Sequence, residues 1–308
     1  MTITKDLKVE YNTSPISICK GKNRDIPDFT HSREGENIDP KVVKSFGEEW
    51  NKFHLFPKDV LQKICEEYFD IIDDRIINKD TYMIDIGCGS ARWSEYFIDK
   101  AGFIEAVDPS DAIFAADKLL EQKENIRLTR ASVETLPWPD ETFDVGISIG
   151  VLHHIPDTAK ALIDCVKKIK RGGYFYVYLY YRFDKRGNLF KSVFYLANLV
   201  RQVVSKMPST LKKVSCDILA VVAYMPFVLL VKTCKLLGFK KTAEKLPLSN
   251  YADKPFYIIR NDSLDRFGTR LEQRFTQEEI RQMMEKAGLS EIVFSERVPY
   301  WHAIGKRV

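Results

Sequence analysis

The chain lacks any paired-cysteine spacing. Its six cysteines, Cys19, Cys65, Cys88, Cys165, Cys216 and Cys234, are scattered without a Cys-x-x-Cys. This excludes a zinc-ribbon or disulfide framework and leaves free thiols in a reducing compartment. No His-x-x-x-His, paired-carboxylate or Cys/His spacing suggests a metal, so none is expected. The segment Met1 to Lys8 has no continuous apolar core. A secretory leader is therefore not expected, and the cytoplasm is the expected compartment. The uncharged run from Ile218 to Val231 has fourteen residues and is interrupted by Pro226. As a helix it covers about 21 Å against a hydrocarbon core of roughly 30 Å, which reads as too short to span a bilayer. What remains is ample material for a core: 308 residues, 45% hydrophobic and 29% charged, one large domain or a domain plus an insertion.

Residues 83 to 92, Met-Ile-Asp-Ile-Gly-Cys-Gly-Ser-Ala-Arg, are the most informative stretch. An apolar run ends in Asp85, and Gly87 and Gly89 punctuate a turn before a helical pattern. The reading is a buried parallel strand running through a tight glycine loop into a helix N-terminus. Short apolar runs then alternate with helical patterns. Strands are predicted at Met83–Ile86, Phe103–Val107, Ile126–Arg130, Phe143–Ile149 and Tyr174–Tyr180, with helices at Ser90–Lys100, Asp111–Gln122 and Thr158–Lys170. Such alternation implies a parallel α/β sheet that binds its ligand outside the carboxyl ends of the strands. An acid, Asp108, follows the second strand, where it suits the hydroxyls of a ribose. A dinucleotide loop would carry a third glycine at position 92, which is Arg92.

The order of signals continues with Ala131-Ser132-Val133-Glu134-Thr135-Leu136-Pro137, then Gly150-Val151-Leu152-His153-His154-Ile155-Pro156-Asp157, then Lys170-Arg171-Gly172-Gly173. Together these motifs resemble those of class I S-adenosylmethionine-dependent methyltransferases, in the ubiquinone/menaquinone-type group. The resemblance runs from residue 81 to about 181 and returns at Arg274 through Leu289. It implies a Rossmann-like, mostly parallel seven-stranded sheet whose last strand is antiparallel, and S-adenosylmethionine as cofactor. It also assigns roles. Asp85, Gly87 and Gly89 would frame the methionine part, Asp108 and Pro109 the ribose, and Ser132 and Val133 the adenine. Gly150 would line the pocket. Ser132 stands where many relatives carry an Asp, so that contact loses a charge. The implied activity is methyl transfer to O, N or C of a small molecule or of a lipid- or carrier-linked intermediate. An RNA methyltransferase and a non-catalytic S-adenosylmethionine-fold binding protein are the alternatives. His154 and His153 are the candidate bases, because imidazole is the usual proton acceptor near neutral pH.

The organisation read from the sequence is an N-terminal arm and helical cap over 1–80 and a methyltransferase domain over 81–308, with an insertion at about 184–250. In the arm, Phe46, Trp50 and Phe53 recur at helical spacing, as expected of core packing. The pattern Phe-Gly-x-x-Trp-x-x-Phe also resembles methyltransferases of sugar and natural-product pathways, where this arm covers the cofactor cleft; that places Trp50 at the cofactor. In some of these a zinc-ribbon-like segment ends in a phrase like Ile26-Pro27-Asp28-Phe29. Only Cys19 is near it here, so no zinc is expected.

Residues 184 to 245 hold twelve basic residues against three acidic ones, a net of +9 in a chain whose total is +4. Leu189, Phe190, Val193, Phe194, Ala197, Val200, Val203 and Val204 fall at helical spacing with polar residues opposite, an amphipathic helix. Three readings stay open for this segment: a helical cap over the active site, an in-plane surface for the inner, anionic face of a membrane, and a nucleic-acid surface. The last is the least expected, since a long aliphatic run is no stacking platform. Between Asn250 and Arg274 polar and aromatic residues concentrate. Tyr251, Arg260 and Arg270, with Tyr180 and Arg182 at the end of the fifth strand, are the candidate acceptor wall, because arginine suits a carboxylate or phosphate.

Overall fold

The computed structural model describes residues 8–31, 36–52, 58–182, 188–298 and 300–308. Phe53, Asp184, Lys185 and Arg186 lie outside the described residues, as do the side chains of Leu189, Phe190, Lys191, Val193 and Lys245. The chain divides into two compact units: Met1–Arg182 with Leu271–Val308, and Phe183–Arg270.

The first unit opens with an antiparallel hairpin, β1 (Ser17–Lys20) and β2 (Asp25–Asp28). Helices α1 (Pro40–Lys52) and α2 (Lys58–Tyr68) follow. The sheet is then built from β3 (Tyr82–Ile86), β4 (Phe103–Val107), β5 (Ile126–Thr129), β6 (Phe143–Ile149) and β7 (Ile169–Tyr178). Helices α3 (Arg92–Phe97), α4 (Ile113–Leu119) and α5 (Thr158–Lys167) make the crossovers. The strand order is β5-β4-β3-β6-β7-β9-β8, where β8 is Leu289–Phe294 and β9 is His302–Arg307. β9 alone runs antiparallel to its neighbours. This is the seven-stranded Rossmann-like sheet the motifs imply.

All five residues of β3 are buried, as expected of a central strand covered on both faces. β7 begins five residues earlier than the predicted Tyr174, because Ile169 already pairs with Phe143 and the extra residues are taken up as a register shift. The hairpin closes the β5 edge: Phe29 N–H donates to Arg130 O (2.7 Å), and Arg130 N–H donates to Pro27 O (2.9 Å). Asp117, fully buried on α4, is neutralised by Arg24 at 3.0 Å and accepts from Asn23 N–H. An acid buried on a helix is tolerated because the hairpin supplies its counter-charge.

The second unit is helical: α6 (Asn188–Val204), α7 (Ser209–Leu219), α8 (Met225–Leu236), α9 (Lys240–Lys245) and α10 (Phe256–Gly268). It extends to Arg270, beyond the expected limit near 250, since α10 packs on α6 and α7. A π-helical turn, Ala220–Tyr224, joins α7 to α8. Pro226 lacks an N–H and its ring crowds the carbonyl one turn back, which the wider turn relieves. The outcome revises the length argument made from the sequence. The fourteen uncharged residues are the middle of one 28-residue helical rod, Ser209–Leu236, long and apolar enough to cross a membrane by length and composition.

The final helix of the first unit, α11 (Gln277–Lys286), starts in a capping box between Thr276 and Glu279.

Candidate functional site

The loops after β3, β4 and β6 lie side by side at the carboxyl ends of adjacent strands. Gly87 adopts φ +79°, and a Cβ there would stand 2.5 Å from Val151 Cγ2, so the β3 and β6 loops touch through a missing side chain. Gly89 adopts φ +56°, with Trp50 Nε1 3.1 Å from its would-be Cβ. Both conditions demand glycine. The N–H groups of Gly87 and Cys88 donate to Val107 O (2.7 and 2.9 Å), fixing the loop to the end of β4.

Two carboxylates sit under this loop. Asp85 is wholly buried and accepts from Ser94 Oγ at 2.7 Å through one oxygen, while its Oδ1 has no hydrogen-bond partner. Burial pushes its pKa up to about 7, with the Asp108 charge adding to the rise. A buried oxygen without a donor costs stability and points to a missing one. Asp108 accepts from Gly89 N–H (2.9 Å) through Oδ2, and from Ser110 N–H (2.8 Å) and Ser110 Oγ (2.5 Å) through Oδ1. Burial raises its pKa too, against those hydrogen bonds. A carboxylate has about four lone-pair sites, so three acceptances leave room for one more donor. Asp108 therefore closes its own turn and keeps a site for a ligand.

Ser132 is more committed. Its hydroxyl pairs with Thr135 Oγ1 (3.2 Å) as the N-cap of a short turn, Val133–Thr135. Val133 N–H, at the start of that turn, faces no intrahelical acceptor. Pro109 offers only its carbonyl, which accepts from Arg130 Nε at 3.2 Å. Gly150 has φ +75° and open space where a Cβ would be.

Helix α1 lies across all three loops. Trp50 meets Gly89, a Cβ on Gly47 would stand 3.1 Å from Asp111 N, and the Phe46 ring lies 4.8 Å from that of His154. Arg92, where a dinucleotide loop would have glycine, is held between the Trp50 and Trp93 rings at 4.6 and 4.3 Å. This cation–π sandwich fastens the arm to the glycine loop, a role the sequence reading missed.

His153 and His154 occupy the turn after β6 and are both buried. His153 is fully enclosed, its ring 3.8 Å from Tyr180 and 4.1 Å from His154, and neither of its nitrogens is hydrogen-bonded. Burial drives its pKa well below the ordinary histidine value, so it stays neutral. His154 Nδ1 lies 2.7 Å from Leu271 O. A carbonyl only accepts, so Nδ1 carries the hydrogen and Nε2 is the basic nitrogen. Of the two, His154 has the tautomer of a base.

An aromatic row adjoins them. Tyr180 lies 5.8 Å from Tyr178, Tyr178 lies 5.2 Å from Tyr68, and Tyr68 lies 4.8 Å from Trp93. The sequence carries its signal: tyrosines at 174, 176, 178 and 180 alternate along one strand, and period two places them on one face.

The other four acceptor-wall candidates have the following partners. Arg182 is tied to Glu279 (2.9 Å) and to Arg274 O (3.1 Å), so its charge holds the start of α11. In the inserted unit Arg260 grips Asp217 with two bonds (3.0 and 2.7 Å), and the Tyr251 hydroxyl donates to Asp262. Burial and Asp262 push the Tyr251 pKa well up. The Arg270 carbonyl accepts from Arg201 at 2.9 Å. These groups hold the inserted unit together. Within the first unit, Tyr180 of the proposed wall stands beside both histidines. Among the described residues no group of three or more His, Cys, Asp or Glu could hold a metal.

The sheet, the glycine loop and the two acids define a class I S-adenosylmethionine-dependent methyltransferase domain, with S-adenosylmethionine as its cofactor. Residues 84–177 match the methyltransferase domain family. The ubiquinone biosynthesis O-methyltransferase of Coxiella burnetii (strain Dugway 5J108-111) is 26% identical over 145 residues, covering 45% of this chain and 61% of that protein. Its namesake from Hahella chejuensis is 28% identical over 144 residues, covering 44% and 60%. The match thus spans about three-fifths of each relative's length. Human N-acetylserotonin methyltransferase, solved with S-adenosylmethionine, overlaps 85% of this chain and 56% of its own at 14% identity, with a TM-score of 0.48. YcgJ of Bacillus subtilis overlaps 77% and 70% at 15% identity, with a TM-score of 0.45.

Proposed function

We propose that the protein transfers a methyl group from S-adenosylmethionine to a hydroxyl on an aromatic, lipid-linked small molecule. The observation that carries the cofactor half is the buried, partnerless Oδ1 of Asp85 at the end of β3, beside Asp108. The cofactor, when bound, supplies a methyl on a positively charged sulfur, so the leaving group departs neutral. The chain's task is positioning, which can supply roughly 7–11 kcal/mol of barrier reduction. Asp85 and the glycine loop hold the methionine end, Asp108 the ribose, and α1 excludes water from above. The row Tyr180, Tyr178, Tyr68 and Trp93 supports an aromatic acceptor, which would pack edge-on or offset against it. His154 Nε2 takes the proton of the attacking hydroxyl. The likeness to ubiquinone biosynthesis O-methyltransferases favours oxygen over nitrogen or carbon.

Calorimetry with S-adenosylmethionine and its demethylated product tests the first half: binding of both is expected, and binding of neither would remove the reading. Formation of demethylated product in the presence of ortho-diphenols tests the second. Turnover confined to amines or carbon acids would move the methyl to N or C. His154→Ala should lower turnover by about 10²–10⁴-fold while leaving cofactor affinity unchanged, as for loss of a general base; wild-type turnover would take His154 out of the mechanism.

A further inference from the structure

The inserted unit concentrates the molecule's exposed apolar surface. Of twenty-one large apolar side chains exposed among the described residues, fifteen belong to it. They are organised. On the Ser209–Leu236 rod, Cys216, Ala220, Tyr224, Val228 and Val231 form the buried face. Leu211, Val214, Ile218, Val221, Val222 and Leu229 form the other, each 51–65% exposed. Between Leu211 and Leu230 every side chain classed as exposed is apolar. The exposed lysines of this stretch stand beyond its ends, Lys206 before it and Lys232, Lys240 and Lys241 after it. On α6, Tyr195, Leu196, Leu199 and Val203 add a second outward apolar strip. Solubility alone does not call for such a face.

We infer that this face docks the protein in the plane of an anionic lipid surface. Three observations select that occupant. The first is charge: the surrounding segment carries +9, and lysines bracketing an apolar strip match acyl chains beneath anionic headgroups. The second is geometry. A rod that crossed the bilayer would carry α10 in with it, since Arg260 on α10 grips Asp217 on the rod and Ser263 Oγ donates to Cys216 O. That helix also holds Asp262, Asp265 and Arg266, which the hydrocarbon core would penalise heavily. Lying flat buries the outer face and leaves α10 in water. The third is continuity, because the outward strip runs from Leu211 to Leu230 with no exposed polar side chain in it. The inference does not depend on the methyl-transfer reading.

The test is co-sedimentation of the full chain with vesicles of phosphatidylcholine alone or mixed with phosphatidylglycerol. Binding is expected to be at least about tenfold stronger with phosphatidylglycerol present and to fall as salt rises. Val222→Glu and Leu229→Glu, at exposed positions, should abolish it. Lys240→Glu with Lys241→Glu should weaken it without touching the core. Circular dichroism and thermal melting verify that each variant is folded. No sedimentation with anionic vesicles would overturn the inference, as would wild-type sedimentation of Val222→Glu. So would a wild-type oligomer that Val222→Glu converts to monomer, which would make the face a protein interface.

Discussion

Asp85→Asn is expected to weaken S-adenosylmethionine binding by about a hundredfold and to erase its pH dependence. The magnitude follows from one charge-assisted hydrogen bond in a dry site, roughly 2–3 kcal/mol. The pH dependence follows from the pKa of about 7 on the wild-type carboxyl. A cationic amino group needs the ionised form, so wild-type affinity should drop about tenfold between pH 8 and pH 6. Stability of the unliganded protein should run the other way. The folded pKa lies above the ordinary aspartate value, so the folded state keeps a proton that the unfolded chain has released. The stability this confers is fully present below about pH 4 and is lost as pH rises through 7. The loss is on the order of 4 kcal/mol at most, from the size of the shift. Denaturant titrations of wild type and Asp85→Asn across pH 5 to 8 check this. Equal slopes for the two proteins would show that Asp85 does not titrate there.

Gly87→Ala is the second large effect. The left-handed φ of +79° costs an alanine about 1–2 kcal/mol. The new methyl would also lie 2.5 and 2.6 Å from the two γ carbons of Val151. Relief requires the β3 and β6 loops to separate, which displaces Asp85 and the histidine turn together. We expect stability to fall by about 3 kcal/mol, as for overpacking combined with backbone strain, and cofactor binding to drop below detection. Val151→Ala in the same chain removes both γ carbons but not the φ penalty. The double variant should therefore regain part of the stability, a coupling that a double-mutant cycle reads directly. Strict additivity would show that the two loops are not in contact.

Most of the sheet was legible because its strands are short apolar runs ended by glycine or acid. Phe103–Val107 and Phe143–Ile149 agree with their predicted limits residue for residue. The candidate cofactor residues come together for the same reason: Asp85, Gly87, Gly89 and Asp108 fall within one βαβ unit, where spacing along the chain and proximity in space coincide. The acceptor side was not. Phe46 reaches His154 from the N-terminal arm, and the tautomer of His154 is set by Leu271 O, more than a hundred residues downstream. Arg182 and Arg260 looked available because an arginine on paper carries no partner. Glu279 and Asp217 are brought to them only by the fold.

The two ends of the insertion return to one point on the sheet. Arg182 N–H donates to Phe275 O and Phe275 N–H donates to Tyr180 O, both at 2.9 Å, so the chain leaves and re-enters as a pair of bonded strands. That neck makes residues 183–270 a cassette. The bonded pair runs parallel, so only a crossover connection can join Arg182 to Leu271, and a foreign segment spliced in at this seam must be long enough to make that crossover. Surface attachment would then be gained or lost by grafting, while the methyl-donor machinery stayed as it is.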